Sequence, residues 1–215
     1  MNNIIEIKNL SKQFKEHTVL KDVTLNFEKG KIYGLVGRNG SGKTVLMKCI
    51  CGLIPPSTGE IAVNNKVVGK DIDIPENVGI IIENPGFLPN YSGFNNLKLL
   101  SMIKNKINND EIKAVIKKVG LDPESKKHVG KYSLGMRQRL GLAQAIMENP
   151  DIYILDEPMN GLDKSGITEI RNLLLELKSQ GKTIIMATHI YEDVRILCDK
   201  VYKIEDGEIS LAENL

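Results

Sequence analysis

Residues 32–44 read IYGLVGRNGSGKT, an apolar run followed directly by a glycine-rich turn. Ile32–Val36 is apolar without alternation, which is typical of a strand covered on both faces in a parallel sheet. A helix is expected to begin after Gly42 and to end near Gly52, because glycine suits a helix C-terminus and Pro55 cannot continue it. The segment therefore predicts a strand, a tight loop and a helix, in that order.

The turn at residues 37–44 has the spacing GxxxxGK[ST], which predicts a phosphate-binding loop when a strand precedes it and a helix follows. Its glycines let successive N–H groups point at an anion, and the helix N-terminus adds a favourable field. Lys43 is expected to reach the β- and γ-phosphates of ATP, and the Thr44 hydroxyl to bind Mg²⁺. The alternative is a glycine-rich turn that matches by accident. The residues expected to contact the nucleotide here are Gly37, Asn39, Gly40, Ser41, Gly42, Lys43, Thr44 and Val45.

Further strands and helices are indicated by periodicity. Runs rich in β-branched residues predict strands at Ile4–Ile7, Val23–Phe27, Glu60–Val63, Val78–Ile82, Ile152–Leu155, Thr183–Ala187 and Lys200–Ile204. Asp206-Gly207 predicts a late hairpin turn. A helical series is expected over residues 92–148, with one apolar face formed by Leu97, Leu100, Met102 and Ile103 and another by Ile112, Val115, Ile116 and Val119.

Two carboxylates, Asp156 and Glu157, end the apolar run IYILDE at residues 152–157. The carboxyl end of a parallel strand is where such sheets bind ligands. Asp156 is expected to hold Mg²⁺ through water, and Glu157 to orient or deprotonate the water that attacks the γ-phosphate. A solvated strand end is the alternative. His189 follows another buried strand at the same edge, and we expect it to contact the γ-phosphate and hold Glu157 in place.

The composition of the chain is that of an ordinary globular protein. Its 215 residues include 29 lysines and arginines and 27 acidic residues, a net charge of +2. This balance gives no electrostatic reason to expect nucleic acid as a partner. The three cysteines have no metal-binding spacing, and neither a signal-peptide pattern nor an apolar run of about 18 residues is present. We therefore expect a cytoplasmic chain that does not span the membrane by itself.

The segment YSLGMRQRL at residues 132–140 resembles the signature motif of ABC-type ATPases, usually LSGGQ followed by a basic residue and QR. The resemblance covers essentially the whole chain. It implies one α/β domain over residues 1–215, with a mostly parallel core sheet, an N-terminal antiparallel β-subdomain and an inserted α-helical subdomain at about residues 86–148. It also implies an ATP-hydrolysing subunit that closes as a head-to-tail dimer, either with itself or with a paired ATPase subunit.

Individual residue roles follow from that resemblance. Ser133 and Gly135 are expected to bind the γ-phosphate of ATP held by the partner subunit, although an N-cap serine that begins a helix fits Ser133 equally. Phe14 matches the aromatic residue that stacks on adenine, with a core phenylalanine as the alternative. Asp163 belongs to NGLD at residues 160–163, which resembles the D-loop at the dimer interface.

The chain departs from the usual family pattern at several positions. Leu134 and Met136 replace glycine and glutamine in the signature, and Val45 removes a hydroxyl contact to the α-phosphate. Glu83 stands where most relatives have glutamine. A glutamate there, together with SLGM, resembles the bacitracin-resistance and lantibiotic-immunity branch and implies export or clearance of a peptide or other amphipathic compound. We expect Glu83 to bind Mg²⁺ and act in the catalytic site; the alternative is that it faces solvent or pairs with a lysine.

The expected partner is a transmembrane permease subunit, which places the chain at the cytoplasmic face of the membrane. The surface around residues 84–94 is expected to dock it, because Phe87, Leu88, Tyr91 and Phe94 are large apolar residues in one loop region. The alternative is that these four residues form a small hydrophobic cluster that anchors the helical subdomain. The competing function is a soluble ABC-type ATPase acting in DNA repair or translation, which the lack of long coiled coils or a second cassette disfavours.

Overall fold

The structure is a computed structural model that describes residues 3–83 and 85–212. Its strands are β1 (Asn3–Phe14), β2 (His17–Glu28), β3 (Ile32–Val36), β4 (Thr58–Val63), β5 (Lys66–Val67), β6 (Val78–Ile81), β7 (Ile152–Asp156), β8 (Thr183–Ala187), β9 (Lys200–Glu205) and β10 (Glu208–Leu211). Its α-helices are α1 (Lys43–Ile50), α2 (Gly93–Lys104), α3 (Asn109–Lys118), α4 (Leu134–Ile146), α5 (Lys164–Ser179) and α6 (Tyr191–Leu197).

The main sheet has the order β10-β9-β3-β8-β7-β6, and all neighbouring strands except β10 and β9 run parallel. Strands β3, β7 and β8 are almost wholly buried, in agreement with their unbroken apolar sequences. Because these three neighbours are parallel, their carboxyl ends meet at one edge of the sheet. That edge receives residue 37, residue 157 and residue 188, the first residues after each strand.

A second sheet, entirely antiparallel, has the order β2-β1-β4-β5. It shares a hydrophobic core with one face of the main sheet, where Phe27 of β2 contacts Tyr33 of β3 edge to face at 4.9 Å between ring centroids. This arrangement confirms the predicted α/β class with a mostly parallel core sheet and an N-terminal antiparallel unit.

The predicted hairpin at the end of the chain is present between β9 and β10. Glu205 pairs with Glu208, and the two residues between them have φ values of +48° at Asp206 and +84° at Gly207. Two successive residues with positive φ match the twist of an antiparallel pair, which is why an Asp-Gly sequence suits this turn.

Helices α2, α3 and α4 lie within the predicted helical segment and pack on the other face of the main sheet. In α3, Ile112 and Ile116 are buried as predicted, and Asn108 and Glu111 form a reciprocal capping box at its N-terminus. The prediction for α2 was wrong in part, because Met102 and Ile103 are 64% and 78% exposed. At about 100° per residue, Met102 lies about 140° around the helix from the buried Leu97. The division at residues 86–148 stays a prediction.

None of the helices in the described residues has the length and apolar character needed to cross a membrane. The three cysteines are free, and burial raises the pKa of Cys49 to about 11 and that of Cys51 to about 12. Neither thiol is therefore ionised to a useful extent near neutral pH, and both serve as core side chains.

Candidate nucleotide-binding site

The glycine-rich loop joins β3 to α1, as the sequence predicts, and its conformation requires glycine at Gly42. This residue has φ +110° and is the N-cap of α1 without any side-chain cap. A Cβ there would lie 3.1 Å from the backbone oxygen of Val19. The first N–H groups of α1 therefore face the loop without a side chain in front of them, which suits an anion.

Lys43 is buried and folds back over the loop. Its Nζ donates to the backbone oxygens of Gly37 at 2.7 Å and Arg38 at 3.0 Å. The ammonium group is therefore held at the concave side of the loop, where phosphate oxygens would compete for it. In the same loop the Ser41 hydroxyl is buried without a hydrogen-bond partner among the described residues. A bound anion would supply the acceptor that this hydroxyl lacks.

Thr44 and Asp156 bring α1 and β7 together. The Thr44 hydroxyl donates to Asp156 Oδ2 at 2.7 Å. A hydroxyl and a carboxylate are hard oxygen donors, and Mg²⁺ in nucleotide sites needs only one or two such protein groups besides phosphate and water. The donor set present here thus fits Mg²⁺ bound together with a nucleotide.

Glu157 has a left-handed backbone, with φ +48°. Its N–H donates to the backbone oxygen of Ala187 at 3.0 Å, and both carboxylate oxygens lie 2.9 Å from His189 Nδ1. The predicted pair of carboxylate and histidine is therefore in contact at the carboxyl edge of the sheet. The Glu157 backbone oxygen accepts a further bond from Gln138 in α4, at 3.1 Å. Gln138 lies within the signature segment at residues 132–140, but no sequence pattern predicts this contact.

These groups border a cavity of about 480 Å³. Its lining includes the loop residues 39–40 and 42–45 together with Glu83, Asp156 and Glu157. A neighbouring cavity of about 790 Å³ shares Val19, Asn39 and Gly40 with the first and extends to His17 and the β9–β10 hairpin. Two neighbouring cavities that share lining residues of the phosphate loop have room for an extended nucleotide.

Phe14 ends β1 and pairs with His17, which lines the second cavity. Its side chain is 46% exposed, so Phe14 is not a buried core residue. The Lys12 ammonium lies 4.8 Å from the centre of its ring. An exposed aromatic ring beside the cavity remains available for stacking on a base.

Glu83 lines the first cavity, but its carboxylate is bound to a lysine. Lys48 Nζ in α1 lies 2.6 Å from Glu83 Oε1, and the Glu83 side chain is 63% exposed. The structure thus contains the lysine pair, one of the two arrangements considered for this residue. Glu83 also has φ +59°, in the left-handed region that residues with a Cβ seldom adopt. Its contact with a metal stays a prediction.

The signature segment begins α4. Ser133 is its N-cap, and the Ser133 hydroxyl accepts a bond from Met136 N at 3.2 Å. Leu134 beside it is 52% exposed. A Cβ on Gly135 would lie 2.7 Å from the backbone oxygen of Gly161, so glycine is required where the signature meets the turn at residues 160–163. Contact with a second subunit's nucleotide stays a prediction for Ser133 and Gly135.

Asp163 is the N-cap of α5. The backbone N–H of Gly166, 3.0 Å from Asp163 Oδ1, and the Ser165 hydroxyl hold the pKa of this carboxyl below its ordinary value. Within one chain Asp163 therefore acts as a helix cap, and its role at a dimer interface stays a prediction.

The loop before α2 exposes part of its apolar surface. Leu88 is 48% exposed and Tyr91 is 45% exposed, whereas Phe87 and Phe94 pack against the core. The buried Asn96 fixes this loop, because its side chain accepts from Leu88 N and donates to the backbone oxygen of Leu88. Asn84 lies outside the described residues.

The phosphate loop, the paired carboxylates at the next strand end and the serine-capped helix beside them define a P-loop ATPase of the cassette type. The profile of the family described as "ABC transporter" matches residues 20–160. The chain therefore belongs to the ABC transporter family, as an ATP-binding subunit with an ABC-type ATPase domain.

Three relatives show similarity over nearly the whole chain. An uncharacterized ABC transporter ATP-binding protein, YybJ of Bacillus subtilis (strain 168), is 45% identical over 99% of this chain and 97% of its own length. The bacitracin transport ATP-binding protein BcrA of Enterococcus faecalis is 40% identical, over 97% of this chain and 68% of its own. The lantibiotic transport ATP-binding protein SrtF of Streptococcus pyogenes is 38% identical over 97% of this chain and 90% of its own length. The predicted resemblance to the bacitracin and lantibiotic branch is confirmed.

A solved structure has the same fold. The ATP-binding cassette MJ0796, in a dimeric structure of a post-hydrolysis state bound to ADP and Pi, superposes with a TM-score of 0.87. It is 23% identical to this chain, and the alignment covers 98% of this chain and 100% of that one. This likeness shows the fold; the family match and the two transport ATP-binding relatives confirm the predicted function as a transporter ATP-binding subunit.

Proposed function

We propose that this subunit hydrolyses ATP through Glu157 and that the energy drives a separate transmembrane permease. The observation that carries the proposal is the contact of the Glu157 carboxylate with His189 Nδ1 at 2.9 Å, beside the cavity bordered by the phosphate loop. A carboxylate held by a histidine in this position is suited to orient a water molecule toward the terminal phosphate.

The phosphate loop would bind the triphosphate through the N–H groups of residues 39–44, with Lys43 beside the β- and γ-phosphates. Thr44 and Asp156, already 2.7 Å apart, would hold Mg²⁺. When bound, this ion neutralises charge that develops on the phosphate oxygens. Phe14 would stack on the base at the far end of the second cavity.

Hydrolysis is proposed to require two subunits arranged head to tail. Ser133 and Leu134 lie at the exposed N-terminus of α4, which would supply backbone N–H groups to a phosphate from outside the chain's own loop. Gly135 has no side chain and would let the α4 backbone come close to that phosphate. Asp163 lies at the turn of residues 160–163, which adjoins the signature. Each nucleotide would then be enclosed by the loop of one subunit and the signature of the other.

The proposed membrane partner binds at the surface around residues 85–94, which places the chain at the cytoplasmic face of the membrane. Leu88 and Tyr91 are exposed there while their backbone is held by Asn96. The names of BcrA and SrtF state bacitracin and lantibiotic transport. On that similarity we propose a peptide antibiotic or another amphipathic compound as the transported substrate.

Glu83 is proposed to exchange Lys48 for Mg²⁺ when nucleotide binds. Its present ion pair is largely exposed, and exposed pairs of this kind contribute little to stability. A divalent cation is a stronger partner for a carboxylate than a single ammonium group, so the exchange is electrostatically favourable.

The variant Glu157→Gln tests the catalytic assignment. Glutamine keeps the shape of the side chain but cannot act as a base, so ATP binding should be unchanged while turnover is nearly abolished. Binding is measured by calorimetry with Mg²⁺-ATP, and turnover by phosphate release. Glu148→Gln, a change in the distant ion pair with Lys104, is the matched control and should hydrolyse ATP normally. Wild-type turnover in Glu157→Gln would remove this residue from the reaction.

A further inference from the structure

Gln138 connects the signature helix to the residue proposed to activate water. It lies in α4, five positions after the N-cap Ser133, and its side chain is buried with 8% exposed. Its Nε2 lies 3.1 Å from the backbone oxygen of Glu157. A carbonyl oxygen only accepts hydrogen bonds, so the amide group of Gln138 must be the donor.

The receiving residue has an unusual backbone. Glu157, with φ +48°, is in the left-handed region that residues with a Cβ adopt reluctantly. Its N–H is bound to the backbone oxygen of Ala187, and its backbone oxygen also accepts from Asn160 N at 3.0 Å. Three hydrogen bonds, to α4, β8 and the following turn, thus hold the backbone on both sides of Glu157, and the direction of that backbone determines where the carboxylate points.

We infer that Gln138 is a positioning residue for Glu157, and that through it the signature helix of a subunit controls water activation in that subunit's own nucleotide site. This inference rests on the proposed roles of Glu157 and of the head-to-tail dimer. In such a dimer the N-terminus of α4 contacts the nucleotide of the other subunit. The bond from Gln138 to Glu157 therefore links the two sites of the dimer.

The remainder of α4 is anchored without this bond, so its loss should not unfold the helix. Arg139 Nη1 donates to the backbone oxygen of Val119 and pairs with Glu169, both at 2.6 Å. Leu140 and Leu142 are fully buried in the core. Gln138 can therefore be changed while the signature stays in place on its other contacts.

Gln138→Met removes the donor at nearly the same side-chain length. We expect ATP affinity to be unchanged and kcat to fall about 10- to 100-fold, because a small displacement of a reacting group has effects of that size. The matched control is Gln144→Met on the same helix, whose side chain makes no hydrogen bond within the described residues. Wild-type kcat in Gln138→Met would overturn the inference.

Mixed dimers identify the site in which Gln138 acts. In a dimer of Ser133→Arg with Gln138→Met, both lesions fall in one site if Gln138 acts on Glu157 of its own chain, and the other site is intact. A dimer that carries both changes in one chain then has no intact site. We expect activity in the first dimer and little in the second. The opposite result means that Gln138 only shapes the signature, and it would overturn the inference.

A mutant cycle with Glu157→Gln tests the same link without mixed dimers. If Gln138 acts through Glu157, Gln138→Met should lower the single-turnover rate in the wild-type background and leave it unchanged in Glu157→Gln. Equal factors in both backgrounds would contradict the inference. Normal hydrolysis in the Ser133→Arg homodimer would instead contradict the proposed composite site, so failure of that proposal is distinguished from failure of this one.

Discussion

The ion pair between Arg171 in α5 and Asp193 in α6 joins two helices that begin beside the candidate site. Asp193 is completely buried, and Arg171 Nε and Nη2 lie 2.8 and 2.5 Å from its Oδ1. The hydrogen bond to the exposed Glu192 raises the pKa of Arg171, and the same bond lowers the pKa of Glu192. Asp193 Oδ2 has no hydrogen-bond partner among the described residues, so the buried carboxylate depends on Arg171 for compensation.

Arg171→Met removes the cation and leaves the charge of Asp193 uncompensated. Breaking a buried pair from one side costs about 3–5 kcal/mol. Because the Arg171 side chain is 14% exposed and water can reach part of the pair, we expect the lower end of this range. The free energy of unfolding at pH 7 should thus fall by about 3 kcal/mol. The loss should also loosen α6, which begins two residues after His189, and reduce ATP turnover.

Urea unfolding followed by circular dichroism measures this effect. Glu192→Gln removes only the exposed partner and should change the free energy of unfolding far less than Arg171→Met does. Arg171→Lys keeps the charge but loses the two-point contact, so its stability should lie between wild type and Arg171→Met. If Arg171→Met is as stable as wild type, or if Glu192→Gln is equally destabilising, Asp193 does not depend on Arg171 for compensation.

Two further outcomes are expected at the edge of the site. Glu83→Gln should keep the fold and reduce the Mg²⁺ dependence of ATP binding, because the carboxylate that would exchange Lys48 for the metal is lost. The measurement is the ratio of ATP affinities with and without Mg²⁺, and a ratio equal to that of wild type would contradict this expectation. Leu88→Asp should leave the ATPase activity of the isolated subunit intact and abolish coupled transport, because Leu88 is half exposed and its backbone is held by Asn96. Failure of Leu88→Asp to fold would instead indicate a structural role.

The parts of the molecule that were predicted correctly depend on local sequence. The unbroken apolar runs gave strands β3 and β8 with their observed bounds, Ile32–Val36 and Thr183–Ala187. The conformational freedom of Gly42 and of the Asp206-Gly207 pair likewise affects only a few neighbouring residues. The phosphate loop and the hairpin could therefore be predicted from the sequence. Because parallel strands align their carboxyl ends, the meeting of Glu157 and His189 also followed from local signals.

The features that were missed depend on contacts between distant segments. Gln138 reaches Glu157, and Arg171 reaches Asp193, through packing of helices whose relative placement no short pattern encodes. In the sequence, Asn96 is an ordinary polar residue of a helix. Its contact with Leu88 arises only because the loop before α2 packs onto the Asn96 side chain. The apolar face of α2 was misassigned because Met102 and Ile103 are apolar residues on an exposed surface, where composition alone does not report burial. Glu83 was placed near the site, but its pairing with Lys48 depends on α1.

Mixing Lys43→Ala subunits with Ser133→Arg subunits tests whether two subunits share each ATP site. Lys43→Ala should weaken nucleotide binding in its own loop, and Ser133→Arg should block hydrolysis while the separated subunit still binds ATP. If loop and signature come from opposite subunits, the mixed dimer has one site with both lesions and one site with none. We expect each homodimer to be inactive and the purified mixed dimer to recover about half of the wild-type rate of phosphate release. A mixed dimer as inactive as the two homodimers would contradict the shared site.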